Sequence, residues 1–262
     1  MFHTVFPKRK SIIGVIALPP LLGYPEFRDL DSVITRALDD LNTLQQGGVD
    51  GVCLENDYDQ PHQLTVGPEI VAAFTVIAKE VKRFANLPVG LQVLLNDWRA
   101  SLSIAKVIDA QFVRLDFFVD KVRIGAGVIE PEPQAVLAYR KQIKAEDILL
   151  LTDVQVKYSE LLEPGKSIRK SVQQAIANNS DAVIVSGKMT GESPSLKDLI
   201  DARKTAMEFP VLIGSGTTAQ NVGELFRYAD GAIVGTALKN SMAYESIVAE
   251  RVKQLMNAVK II

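Results

Sequence analysis

Eight short apolar runs rich in β-branched residues punctuate the chain, and each is followed by a longer stretch with helical spacing. A strand that is apolar at every position is buried on both faces, a condition met by parallel sheets covered with helices. The runs fall at residues 11–18, 51–56, 89–95, 112–116, 148–154, 182–187, 211–214 and 232–235. Helical stripes fall at 32–46, 68–84, 99–108, 133–143, 167–178, 196–207, 219–228 and 244–259. In the first of these, Val33, Ile34, Ala37, Leu38, Leu41 and Leu44 share one face, and Gly47-Gly48 ends the pattern. A weak rhythm overlies the alternation. Asp50-Gly51, Asp109-Ala110, Asp181-Ala182 and Asp230-Gly231 introduce even-numbered strands, and Leu87-Pro88-Val89 and Phe209-Pro210-Val211 introduce odd ones.

Paired strand–helix units predict an α/β fold, a closed TIM (β/α)8 barrel of ~250 residues forming one domain over residues 1–262. The competing architecture is an open doubly wound sheet, for which Gly214-Ser215-Gly216-Thr217-Thr218-Ala219 supplies a G-x-G-x-x-A pattern between strand and helix. A dinucleotide fold would end the following strand in an acidic residue. Here that strand ends in Gly235-Thr236, and these two strands are the seventh and eighth, whose loops commonly build a phosphate site in barrels.

Formal net charge is −2 and the pI near 5.8, so no basic field draws nucleic acid or anionic lipid from a distance. A single cysteine, Cys53, rules out an internal disulfide and suits the reducing cytoplasm, the expected location. Lys8, Arg9 and Lys10 before the apolar run 12–18 imitate a signal peptide, but Pro19 and Pro20 cut that run short. No stretch approaches the length of a transmembrane helix.

In a barrel, chemistry belongs at the carboxyl ends of the strands. Polar residues gather there: Glu55, Asn56 and Asp57; Gln92, Asn96 and Asp97; Arg114 and Asp116; Asp153, Gln155 and Lys157; Ser186, Lys188 and Thr190. Strand alternation puts Arg114 and Asp116 on one face, as it does Cys53, Glu55 and Asp57. A guanidinium inside a barrel must be paired, so Arg114 is expected among Glu55, Asp116 and Asp153. That cluster is either a site for proton transfer or a polar plug of the barrel interior.

The catalytic candidates are Glu55, Asp97, Arg114, Asp153 and Lys157. Candidates for holding a phosphate are Asn56, Asn96, Ser186, Gly187, Gly214, Ser215, Gly216, Gly235 and Thr236, with Lys239 as either a neutralising charge or a surface one. Glycines there either admit an anion to backbone N–H groups or merely permit tight turns. Carboxylates at Glu55, Asp57, Asp97, Asp116 and Asp153 could hold Mg²⁺, yet no single loop offers a close Asp-x-Asp pair and His3 and His62 are too scattered for zinc, so no metal site is assigned. Lys157 is a Schiff-base lysine only if desolvated, and its place before Tyr158-Ser159-Glu160 favours a solvated or anion-binding role. His62 sits in a loop and receives no role. The segments 19–25 and 117–133 are long enough to act as lids.

Ile13-Gly14-Val15-Ile16-Ala17-Leu18-Pro19-Pro20, the stretch from Gly48 to Asn56, Val93-Leu94-Leu95-Asn96-Asp97, Asp153-Val154-Gln155-Val156-Lys157 and the glycine segment 213–239 together resemble the BtpA/SgcQ family, in order and over nearly the whole chain. The resemblance implies a phosphate-binding barrel without an agreed reaction, and it matches Glu55, Asn56, Asn96, Asp97, Arg114, Asp153, Lys157 and the glycines of the last two strands to the family pattern. It also implies a link to photosystem I biogenesis through the founding cyanobacterial member. The chain departs from the family at Ala17 and Tyr158, where histidine is frequent. Two readings follow. One is an enzyme, an isomerase, lyase or hydrolase, acting on a small phosphorylated metabolite of sugar-phosphate or nucleotide-like type. The other is a non-catalytic assembly factor for a membrane complex such as photosystem I, with peripheral membrane association through the terminal segment 244–262. Homo-oligomerisation is compatible with both.

Overall fold

The computed structural model describes residues 2–8, 10–240 and 245–261. Arg9 of the basic run and Tyr244 and Ile262 of the expected terminal segment lie outside them. Eight parallel strands close into a barrel: β1 (Ser11–Ala17), β2 (Gly51–Glu55), β3 (Val89–Gln92), β4 (Phe112–Leu115), β5 (Leu149–Val154), β6 (Ala182–Val185), β7 (Val211–Ile213) and β8 (Gly231–Val234). Each strand pairs with its sequence neighbours, and β8 closes on β1 with Ser11 opposite Gly231. All eight are buried along their whole length because one face meets the helices and the other the barrel axis, which accounts for their continuous apolar runs.

The barrel interior is a separate apolar cluster of Ile13, Val15, Cys53, Phe112, Leu149, Leu151, Ile184, Leu212 and Ile233. Phe112 fills the axis only because Gly90 faces it: a Cβ on Gly90 would sit 2.1 Å from the Phe112 ring. A helical turn, Phe2–Val5, closes the floor, with Phe2 stacked on Phe6 at 5.0 Å and Phe6 edge-on to Phe112 at 5.7 Å.

The rhythm of paired units has a concrete cause at the N-terminal rim. Asp50 gives its N–H to the Ile12 carbonyl (2.8 Å) and accepts the Ile12 N–H on its carboxylate (2.8 Å), a reciprocal clamp joining an odd strand to the next even one. Asp181 clamps Leu150 and Asp230 clamps Val211 in the same way. Between β3 and β4 the clamp is Gln111 on Val89, not the Asp109 that the pattern singles out. Asp109 instead ends the preceding helix in the left-handed region (φ 60°), which a short polar side chain tolerates. Each clamping side chain touches a cation in turn: Lys8 on Asp50, Lys82 on Gln111, Arg140 on Asp181 and Arg203 on Asp230.

The outer helices are α1 (Leu30–Gly47), α2 (Pro68–Phe84), α3 (Trp98–Ile108), α4 (Pro133–Gln142), α5 (Ile168–Ala177), α6 (Leu196–Ala206), α7 (Val222–Leu225) and α8 (Ala249–Lys260). Gly48 at φ 86° ends α1, the conformation its sequence position requires. The expected helix 219–228 shrinks to the short α7. Asn221 accepts the Thr218 N–H on its side chain (2.8 Å) and donates to the Gly216 carbonyl (2.9 Å), and these local bonds replace the first helical turn. At the C-terminal face, Val122–Ile124 pairs antiparallel with Gly127–Ile129 and with Glu160–Leu161, forming a small sheet over its own cluster of Phe117, Val122, Ile129 and Val156. The expected lid after β4 is therefore a hairpin stitched to the loop after β5. Among the described residues no helix is long and apolar enough to cross a membrane.

Candidate functional site

The inward-facing residues change from apolar to charged at the carboxyl ends of the strands. Arg114 near the end of β4 donates from Nε to Asp153 (2.9 Å), from Nη2 to the other Asp153 oxygen (3.2 Å) and from Nη1 to Glu55 (3.2 Å). Asp116 lies 3.9 Å from the same guanidinium. The expected grouping of one cation among three carboxylates is thus assembled, and Arg114 and Asp153 are almost wholly buried in it. Ser186 at the end of β6 donates to Asp153 (2.8 Å), completing that carboxylate's partners. Gly214 makes the arrangement fit, since a Cβ there would lie 2.3 Å from the Ser186 hydroxyl and 3.1 Å from Arg114.

Charge within this layer is unevenly shared. Burial pushes the Asp116 carboxyl up to about 7, and the neighbouring Asp153 adds to the effect against the pull of Arg114. Glu55 is raised for the same first reason, burial, with Arg114 opposing it. Burial alone would lower Arg114, but Asp153, Glu55 and Asp116 hold its value well above the ordinary one. One carboxyl in the group is therefore poised between charged and neutral near physiological pH, the condition for an acid–base group.

Against this layer opens a cavity of about 180 Å³ whose far wall is the pair of glycine-containing loops after β7 and β8. Gly216 is left-handed (φ 67°) and packs against the backbone of Glu192 and Ser193, leaving no room for any side chain. The amides of Gly216, Thr217, Thr236 and Ala237 make no hydrogen bond to another described residue. The Thr217 hydroxyl is buried and also unpartnered among them. Lys239 reaches the same cavity, 3.0 Å from the Tyr58 hydroxyl. Residues that line one concave wall and carry four amides without hydrogen bonds among the described residues, a hydroxyl and an ammonium are suited to an anion with several oxygens.

Lys157 stands between this cavity and a second one, at the top of β5. It is bracketed by two non-glycine residues in the left-handed region, Gln155 (φ 48°) and Tyr158 (φ 58°). The first is held by Asp120 on its N–H (2.7 Å), and the Tyr158 hydroxyl accepts the Thr190 N–H (2.9 Å). Such a conformation persists only where its surroundings over-determine it.

The other sequence candidates take different positions. Asn56 is fully buried, donates to Asp59 (2.9 Å) and accepts from Leu94 (2.7 Å), tying the β2 loop to β3. Asp97 caps α3 through Ala100 (2.8 Å) and also accepts from Val66 (2.9 Å), so both its oxygens are engaged. Asn96 precedes it, its carbonyl bonded to Trp98. Gly187 donates its N–H to Ser215 Oγ (2.8 Å), and that hydroxyl donates to the Glu192 carbonyl (2.7 Å), so these two brace the loops beneath the cavity wall. Gly214, Ser215, Gly216, Gly235 and Thr236 all line the cavity, as do Glu55, Arg114 and Lys157. The candidates did not include Tyr58, Thr217 or Ala237. Thr217 lies within the glycine motif and could have been taken from it; nothing in the sequence marks Tyr58, which arrives from the β2 loop.

The BtpA family model matches residues 8–261. An uncharacterised protein of Archaeoglobus fulgidus is 38% identical over 251 residues, covering 96% of this chain and 99% of its own. The photosystem I biogenesis protein BtpA of Synechocystis is 34% identical over 244 residues, covering 91% of this chain and 83% of its own. Among solved structures, (S)-3-O-geranylgeranylglyceryl phosphate synthase from Thermoplasma acidophilum, in complex with sn-glycerol-1-phosphate, aligns with a TM-score of 0.64 at 14% identity, over 100% of this chain and 97% of that one. The thiamine phosphate pyrophosphorylase of Pyrococcus furiosus aligns with a TM-score of 0.61 at 14% identity, over 97% and 96%. At those identities the likeness is one of fold.

Proposed function

Since the chain belongs to the BtpA family, we propose that it is a barrel enzyme that holds a small phosphorylated metabolite at its C-terminal face and moves protons on it. The observation that carries this reading is the wall of unused amides at Gly216, Thr217, Thr236 and Ala237 opening into the same cavity as Glu55, Arg114 and Lys157. The phosphate sits on those amides with the Thr217 hydroxyl and Lys239. That fixes the ester's carbon skeleton over Glu55 and Asp116, which exchange protons with it. Arg114 favours the ionised form of Glu55 and Asp116 against the burial that favours the neutral one, and Lys157 stabilises negative charge that develops on substrate oxygen. Isomerisation, carbon–carbon cleavage and ester hydrolysis all share these steps.

Thermal melts in the presence of inorganic phosphate, sugar phosphates and nucleotides test the binding half. A ligand at one hundred times its Kd stabilises the fold by ~2.7 kcal/mol. Silence across such a set, with no shift from any phosphate ester, sinks the reading.

The name borne by the Synechocystis relative favours a second reading, a barrel retained as an assembly factor for a membrane complex. It requires the protein to sediment with membranes and to lose that behaviour when the outer surface of α8 is made acidic. Retention in the supernatant at all protein-to-lipid ratios excludes it.

A further inference from the structure

Behind Lys157 the phosphate cavity continues into a larger chamber of about 600 Å³ beneath the hairpin 122–129. Glu55, Asp57, Arg114, Lys157 and Thr190 line both spaces, so a single ligand can span them. The first space, at about 180 Å³, is below the usual ~300–1,000 Å³ of a small-molecule site, whereas the second falls within it.

Besides the charged and polar groups at its mouth, Asp57, Gln60, Lys157 and Thr190 among them, the chamber has two linings that matter for a ligand's far end. Leu94, Leu95, Phe117 and Ile124 form apolar walls, the last from the hairpin itself. At its base Gln92 Nε2 and Asp116 Oδ1 are buried and make no hydrogen bond among the described residues, the latter having only the longer ion pair to Arg114 at 3.9 Å. A buried polar atom without a hydrogen bond is destabilising, so a ligand edge that reaches these two atoms gains by satisfying them.

These linings discriminate between ligand classes. A bare sugar phosphate would find partners for its hydroxyls at Asp57, Gln60 and Thr190 but leave Leu94, Leu95, Phe117 and Ile124 uncovered. A hydrocarbon chain would cover those walls and leave Gln92 and Asp116 unanswered. A flat heterocycle satisfies both, with apolar faces against the walls and a donor–acceptor edge toward the base.

Resting on the phosphate reading above, we propose that the ligand is a phosphate ester carrying a flat heterocycle, whose hydrogen-bonding edge is read by Gln92 and Asp116 under the hairpin. Asp116, poised near neutrality, can then either accept from the ring edge or donate to it.

Calorimetric titration of the whole protein with inorganic phosphate, ribose 5-phosphate, and adenosine, inosine, cytidine and uridine 5′-monophosphates tests this. At least one nucleotide binds about tenfold or more tightly than ribose 5-phosphate, the gain expected from one or two new hydrogen bonds together with ring burial. In Gln92→Leu that advantage falls to within about threefold while ribose 5-phosphate affinity stays as in the wild type. Ile124→Ala, which trims the wall without touching the base, reduces nucleotide affinity selectively as well. Melting curves of each variant without ligand establish that it is folded. Equal affinity for ribose 5-phosphate and every nucleotide, or a nucleotide advantage unmoved by both variants, overturns the heterocycle assignment while leaving phosphate binding intact. Failure of inorganic phosphate and ribose 5-phosphate as well overturns both.

Discussion

Asp116→Asn makes a sharp demand on the charge layer. The carboxyl titrates at about 7 in the folded protein against 3.8 in an exposed chain, chiefly because it is buried and faces Asp153. Between those two values the native state keeps a proton that the unfolded chain has released. Wild-type stability therefore falls as pH rises through this window and levels off above pH 7. Each unit is ~1.4 kcal/mol, so from pH 5 to pH 8 the ionisation of Asp116 removes on the order of 3 kcal/mol. Asparagine keeps the shape and carries no charge, while Arg114 retains Asp153 and Glu55. The variant should match the wild type near pH 4 and gain on it steadily thereafter, leading by an additional ~6–12 °C in Tm at pH 8 compared with pH 5. Circular-dichroism melts of both proteins from pH 4 to 8.5 read this directly. Glu55 is raised in both proteins and cancels in the difference. Parallel Tm curves would show that Asp116 is an ordinary ionised carboxylate, and the acid–base role drawn from it would fall with them.

The remaining expectations separate support from function. Gly216→Ala places a methyl 2.1 Å from the Ser193 amide nitrogen at a positive φ, against backbone that cannot yield, so it should cost more than ~2 kcal/mol in denaturant unfolding and abolish phosphate-dependent stabilisation. Asp181→Ala removes the acceptor of the Leu150 N–H and the partner of Arg140 at the opposite rim. It should cost ~1–3 kcal/mol by the same measurement and leave ligand affinity unchanged. Phe6→Ala opens the barrel floor and should cost ~3–5 kcal/mol, again without effect on affinity in calorimetry.

The barrel was legible because its strands are buried on both faces, and a run such as Ile12 to Leu18, apolar at nearly every position and too short to span a membrane, suits few folds besides a helix-covered parallel sheet. Arg114 was legible for a related reason: alternation fixes which side chains face the axis, and a guanidinium there needs carboxylates. Polar residues at strand ends were ambiguous, because a loop consumes the same side chains as a site. Asp97 and Asn56 differ in nothing visible from Asp153 until one sees which amides surround them. The small sheet escaped because its strands, Val122–Ile124, Gly127–Ile129 and Glu160–Leu161, are too short to show a period. The Asp rhythm misled once, at Asp109, because an aspartate serves equally well as a strand clamp or a left-handed helix end, and only the register of β3 with β4 decides between them.

The two rims of the barrel answer the same problem in opposite ways. At the N-terminal rim the strand-joining side chains are engaged by reciprocal clamps and cations. At the C-terminal rim, Gln92 Nε2, Asp116 Oδ1 and Thr217 Oγ1 are buried without hydrogen bonds among the described residues, and all lie on strands or loops facing one continuous space. The charges there also have a direction. Glu55, Asp116 and Asp153 outnumber Arg114, so the β2–β5 arc repels an anion unless a carboxyl is protonated. The β7–β8 arc offers neutral amide dipoles and Lys239 instead, and Lys157 stands on the boundary between the arcs. On the proposed reading, a phosphate ester is thereby driven to one orientation, with its dianionic end on the glycine loops and its other end over the acids, before any contact to the rest of the molecule is made.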